Sequence, residues 1–127
     1  WLAYMSNETG AQQVYVQAAR AGARKWPISI GTANAPRWRG DGRELYYIGE
    51  GKMWAVEITV KGDTLVAASP EALFNHGGIP GHNGPYFSYA VAAKGDKFLL
   101  TAGLAIVQSE PAPIVVVSNW FAGVRRR

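Results

Sequence analysis

His76 and His82 are the only imidazoles in the chain, and both lie in one glycine-rich segment, Asn75-His76-Gly77-Gly78-Ile79-Pro80-Gly81-His82-Asn83-Gly84-Pro85. Imidazoles in a loop can donate hydrogen bonds to a ligand or hold a divalent metal. A spacing of six residues is not a zinc signature, the chain has no cysteine, and no nearby carboxylate offers a third ligand, so no metal and no cofactor are expected. What remains is a binding loop, with His76, His82, Asn83 and Tyr86 as its candidate contacts, set against the plainer reading of a surface connection. Catalysis has less to stand on. There is no Gly-x-Ser-x-Gly elbow, the two histidines share one loop, and the nine carboxylates are scattered through turns without a close pair, so this segment is not expected to be an enzyme.

Two short motifs are explained by their place in turns. Arg39-Gly40-Asp41 spells a tripeptide read by integrins, yet it fills the turn that Gly42 closes, where the Asp41 carboxylate folds back on turn amides. Asn7-Glu8-Thr9 matches a glycosylation acceptor and also forms the turn before Gly10. The aromatic residues, among them Trp1, Tyr4, Tyr15, Trp26, Trp38, Tyr46, Tyr47, Trp54 and Phe98, can make a stacking platform or fill a core. Most recur at matching places along the chain, which favours packing.

The elements that must position these residues follow from composition and period. A chain of 127 residues with 48% hydrophobic and 12% aromatic side chains folds, and at this length it is one domain or a few units of a repeat. Charged residues reach only 17%, while 15 glycines and 7 prolines point to many short strands and turns. The net charge of +4 owes three of its charges to Arg125, Arg126 and Arg127, so no basic stripe for nucleic acid is left. The apolar runs are too short for a membrane span, and none of this segment is expected to touch a membrane.

Internal repeats are present. Gly42-Arg43-Glu44-Leu45-Tyr46-Tyr47-Ile48 can be laid over Trp1-Leu2-Ala3-Tyr4-Met5 and over Gly95-Asp96-Lys97-Phe98-Leu99-Leu100-Thr101, at spacings of 43 and 53 residues. Each copy is followed by a second β-rich run: Gln13-Val14-Tyr15-Val16, Met53-Trp54-Ala55-Val56-Glu57-Ile58, and Ile114-Val115-Val116-Val117. Polar or glycine-rich turns at Asn7-Glu8-Thr9-Gly10 and Gly49-Glu50-Gly51-Lys52 read as hairpins. A strand precedes two of the copies, at Ala35-Pro36-Arg37-Trp38 and Tyr86-Phe87-Ser88-Tyr89-Ala90-Val91. Outer fourth strands are expected at Lys25-Trp26-Pro27-Ile28-Ser29-Ile30 and Ala68-Ser69-Pro70-Glu71-Ala72-Leu73-Phe74. Ser118-Asn119-Trp120-Phe121-Ala122-Gly123-Val124 reads as a short C-terminal helix with Ser118 or Asn119 as its cap. Four antiparallel strands every ~40–50 residues define an all-β chain of about three β-propeller blades, at residues 1–34, 35–85 and 86–127.

The opening Trp1-Leu2-Ala3-Tyr4-Met5-Ser6-Asn7-Glu8-Thr9-Gly10, the Pro36-Arg37-Trp38 and Asp41-Gly42-Arg43-Glu44-Leu45-Tyr46-Tyr47 pieces and the Val115-Val116-Val117-Ser118-Asn119-Trp120-Phe121 ending together resemble the WD-like propeller repeats of TolB-type proteins. They resemble more closely the C-terminal propeller of bacterial, acidobacterial-type serine/threonine protein kinases. The resemblance covers nearly the whole chain, and Arg39 and Gly40 depart from the usual residues of the family turn. It implies an extracytoplasmic, non-catalytic sensor module that presents rim loops to a protein or small ligand. Its alternatives are a periplasmic TolB-like protein of the envelope and the accessory propeller of a hydrolase. Three blades fall short of the roughly 4–8 of a closed ring, so the open blade faces are expected to meet the rest of a longer propeller, a protein partner or further copies of the chain.

Overall fold

The structure is a computed structural model and describes residues 1–76, 89–101 and 114–118. These residues are all-β, with no helix among them, and they form three antiparallel sheets. The first sheet has the order β1 (Leu2–Ser6), β2 (Gln13–Gln17), β3 (Lys25–Pro27). Its hairpin turns where the Gly10 N–H donates to the Asn7 carbonyl at 2.9 Å, with Gly10 at φ +88°. Val14 and Val16 point to one side and are fully buried, while Tyr4 and Tyr15 stack across the strands on the other at 6.0 Å.

The central sheet contains β4 (Ala33–Trp38), β5 (Glu44–Gly49), β6 (Lys52–Lys61), β7 (Thr64–Ala67) and β8 (Glu71–Asn75). Glu50 and Gly51, both at positive φ, join β5 to β6, as a two-residue hairpin of the I′ type requires. β5 pairs with one side of β6 as far as Glu44 opposite Glu57. β7 and then β8 follow one another along the other side of β6, and the Ala68 N–H donates to the Glu57 carbonyl between them. They amount to one outer strand broken at Ser69 and Pro70, where proline brings no N–H to the ladder. The fourth strand expected from Ala68 onward therefore begins earlier, at Thr64, and resumes at Glu71 after the break. The third sheet has the order β11 (Ile114–Ser118), β10 (Lys97–Thr101), β9 (Tyr89–Val91).

Other expectations are modified. β3 ends at Pro27, short of Ile30, because Ile28 and Ser29 turn in to bond β2: both N–H groups point to the Val14 carbonyl, and the Val14 N–H donates to Ser29 Oγ at 3.0 Å. The four-stranded pattern is present in the central sheet, whereas the first sheet has three strands. Ser118, expected as a helix cap, is the last residue of β11, and the rest of the expected C-terminal helix lies outside the described residues.

Side chains alternate across a strand, so β5 serves two cores at once. Leu45 and Tyr47 join Val14, Val16, Ala33, Val56, Ile58 and Leu65 between the first and central sheets. Tyr46 joins Met53, Ala55, Tyr89 and Phe98 between the central and third sheets, with Ile48 packed beside them. Phe98, fully buried, meets Tyr46 edge-on at 5.0 Å and Phe74 at 5.5 Å, and the buried Tyr89 hydroxyl donates to the Ala35 carbonyl at 2.7 Å. Replacing Phe98 by alanine is expected to cost about 3–5 kcal/mol in chemical denaturation, through lost transfer energy and the cavity left behind. On the opposite face of the same strand, where Leu99 is 48% exposed, Leu99→Ser should cost distinctly less. Equal effects at the two positions would contradict this orientation of β10.

Candidate functional site

The histidine loop leaves the central sheet at the end where the β5–β6 hairpin turns. β8 brings His76 there, and its N–H donates to the Gly51 carbonyl at 2.7 Å, extending the pairing of Asn75 with Lys52. The His76 side chain is buried, and desolvation holds its pKa below the ordinary histidine value. Beneath the hairpin, Trp54 stacks on Tyr47 at 6.3 Å and donates its indole N–H to the Gly49 carbonyl at 2.9 Å. The Lys52 ammonium lies 5.9 Å from the Trp54 ring centre. Across the seam to the first sheet, a Cβ at Gly31 would sit 2.9 Å from Glu50 Oε1. At this end Glu50, Lys52 and Asn75 are exposed beside the buried His76, and Ile30 is exposed next to Gly31 across the seam.

Of the four residues singled out from the sequence, the structure describes His76, whose side chain is buried at the end of β8. His82, Asn83 and Tyr86 lie outside the described residues. Sequence reasoning missed Ile30, Glu50 and Lys52. The hairpin itself was visible in Gly49-Glu50-Gly51-Lys52, but its proximity to residues 30–31 depends on how two sheets pack.

The opposite end of the central sheet holds a charged network. Arg39 Nε and Nη2 donate to the two carboxylate oxygens of Asp41 at 2.7 and 2.8 Å, and Nη1 donates to Glu44 Oε2 at 2.7 Å. The Tyr46 hydroxyl donates to the same Glu44 oxygen at 2.8 Å, and the Arg43 N–H donates to Asp41 Oδ1 at 3.0 Å. Bonding to the Arg39 guanidinium, then to the Arg43 amide, lowers the Asp41 carboxyl to about 2. Desolvation, reinforced by the bond to Glu44, pushes the Tyr46 hydroxyl up. The Arg39 fork is thus committed to its own turn, where the Gly42 N–H donates to the Arg39 carbonyl, and the tripeptide serves the fold.

This turn also docks on its counterpart in the third sheet. Gly40 N–H donates to the Ala93 carbonyl at 3.0 Å, and a Cβ on Gly95 would collide with the Tyr46 hydroxyl and come within 2.7 Å of Arg39 Cδ. Among the described residues, no three His, Asp or Glu side chains gather to hold a metal ion, and no helix is long and apolar enough to cross a membrane. Compared with protein families, curated proteins and solved structures, the chain finds no significant match in any of the three.

Gly42 and Gly95 both sit at positive φ, but only Gly95 is hemmed in, so Gly42→Ala should cost about 1–2 kcal/mol and Gly95→Ala distinctly more by urea titration. The reverse order would contradict the docking of the two turns. The depressed His76 pKa means that the unfolded chain binds the proton more readily than the native state. Stability is therefore expected to fall as pH drops through about 6.5, the unfolded value. His76→Gln should flatten that part of the pH–Tm curve, and an unaltered slope would refute the assignment.

Proposed function

We propose that the chain is a non-catalytic binding module built as an arc of β-propeller blades. The observation that carries this reading is the central sheet, which is covered on both faces by sheets of the same chain. Equivalent turns support it: Arg39 N–H to Glu44 O and Gly42 N–H to Arg39 O are repeated, at the 53-residue spacing, as Ala92 N–H to Lys97 O and Gly95 N–H to Ala92 O. In a propeller, blades pack face to face around an axis and their loops gather on two rims. The Gly51 and His76 rim is then the surface that presents the histidine loop to a protein or small ligand. The resemblance to the sensor propeller of a bacterial serine/threonine kinase supplies the class of function and an extracytoplasmic setting for this proposal.

The outer faces of the first and third sheets are the places where an arc must be completed. Leu2 is 56% exposed and Leu99 48% exposed, and they sit on those two faces. Self-association through these faces is the form of partnership the exposed leucines favour. Light scattering after size exclusion, across a range of concentrations, should give a concentration-dependent oligomer, and Leu99→Glu should return it to the monomer. A monomer at every concentration would overturn self-association, and an oligomer indifferent to Leu99→Glu would remove the third sheet's face from it.

A further inference from the structure

At the Arg39 end of the central sheet, β6 outruns its neighbour. β5 pairs as far as Glu44 opposite Glu57, and the Ile58 N–H still donates to the Arg43 carbonyl at 2.8 Å. Beyond that point β6 is paired only on the β7 side, through Thr59 with Val66, Val60 with Leu65 and Lys61 with Thr64. Backbone groups alternate from side to side along a strand, so the N–H and carbonyl of Val60 share the side of the Ile58 N–H, where β5 has ended. Among the described residues no segment pairs with that edge. An unpaired strand edge is a template for another extended chain.

The edge borders a groove. Trp1, Trp38, Gly42 and Val60 line it, with about 190 Å³ of free volume open to solvent. Trp1 is braced edge-on by Trp26 at 5.4 Å, and Trp26 carries the Arg24 guanidinium 5.4 Å above its ring. Trp54 has an acceptor for its indole N–H, but no acceptor among the described residues serves the indoles of Trp1 and Trp38. Gly42 adds no side chain, and nothing lies within 4 Å of where its Cβ would be. Arg43 and Lys61 adjoin Gly42 and Val60 in sequence, Lys61 with its side chain on the sheet face opposite Val60; both are exposed and neither makes an ion pair among the described residues.

From this juxtaposition we infer that the groove is a peptide-binding site. It takes an extended segment that pairs with the Val60 edge, lays an apolar side chain against Trp1 and Trp38, and carries acidic residues toward Arg43 and Lys61. Each part of the ligand answers a feature of the groove and its edge. Main-chain groups of an extended peptide match the free edge, a carbonyl matches an indole donor, an apolar side chain matches the ring faces, and carboxylates match the two unpaired cations. The site lies at the opposite end of the sheet from the histidine loop and does not depend on the propeller reading.

The test is fluorescence polarisation with the capped, labelled peptide Asp-Leu-Val-Leu-Asp, beside its counterpart with lysine at both ends, each titrated with the whole chain to about 1 mM. The acidic peptide is expected to bind at least about tenfold more tightly than the basic one. Val60→Pro removes the edge N–H on the side that makes no ladder bond, so it should weaken binding about tenfold while the Tm moves little. Should that variant fail to fold, Arg43→Glu combined with Lys61→Glu tests the same site from the surface and should reverse the preference between the peptides. No binding of the acidic peptide, binding untouched by both variants, or displacement of the peptide by a neutral oligosaccharide would each overturn the inference.

Discussion

The alternation of side chains along β5 governs the molecule. Leu45 and Tyr47 leave one face of the central sheet, Tyr46 and Ile48 leave the other, and all four are large and apolar or nearly so. A strand of this kind cannot rest on water on either side. Burying a side chain of this size is worth about 1.5–3 kcal/mol, so leaving one face of β5 open would forfeit several kcal/mol, comparable with the whole stability of a small domain. The first and third sheets are therefore required by β5, and each meets the need with residues set at the same alternation: Val14 and Val16 on β2, Phe98 and Leu100 on β10. Their own far faces are where the requirement weakens. Tyr4 and Tyr15 stack there with hydroxyls bonded to Gln17 and Gln13, so Tyr15 is buried on that face while both polar ends keep a partner.

The two ends of the central sheet are closed by different chemistry. At one end Gly51 and His76 finish the pairing of β6 with β8 by a main-chain bond, and little charge is involved. At the other, Arg39, Asp41, Glu44 and Tyr46 make a chain of charge-assisted bonds next to Gly95. Exposed ion pairs usually add little to stability, and Asp41 is half exposed, so the network matters chiefly for geometry. It fixes the turn so that the Gly40 N–H can reach the Ala93 carbonyl, and it presents the Tyr46 hydroxyl to a neighbour that has no side chain. Two sheets are thereby held in register at their margins as well as through the core.

Much of this was legible in the sequence, for a physical reason. The strands rest on local alternation and on turns whose glycines need positive φ, and both are written in consecutive residues, as at Gly42 and Gly95. The 53-residue spacing of the two turns was visible for the same reason. The full length of β6 and the strand β7 were not, because Thr64-Leu65-Val66-Ala67 becomes a strand by pairing with a neighbour that extends past its other partner, a tertiary matter. β4 was expected at Ala35–Trp38, and it begins two residues earlier, at Ala33. The strand holds its proline by a register shift between Asn34 and Arg37, with Ala35 at φ +52°, a conformation that an alanine rarely adopts and that nothing in its own side chain announces.

The candidate site was the less legible part because its parts come from residues distant in sequence. His76 stood out by type, while Glu50 and Lys52 are ordinary surface residues until the packing of two sheets sets Gly31 beside Glu50. The same holds for Trp38. Its place in the repeat assigns it to packing, and it does pack on the core between the first two sheets, but one part of it also faces the groove beside Trp1. A tryptophan is large enough to satisfy both demands, since its ring can bury one edge and leave a polar N–H at the surface. Type and spacing therefore identify which residues hold the sheets together, and whether the same residues meet a ligand is decided by where the neighbouring strands stop.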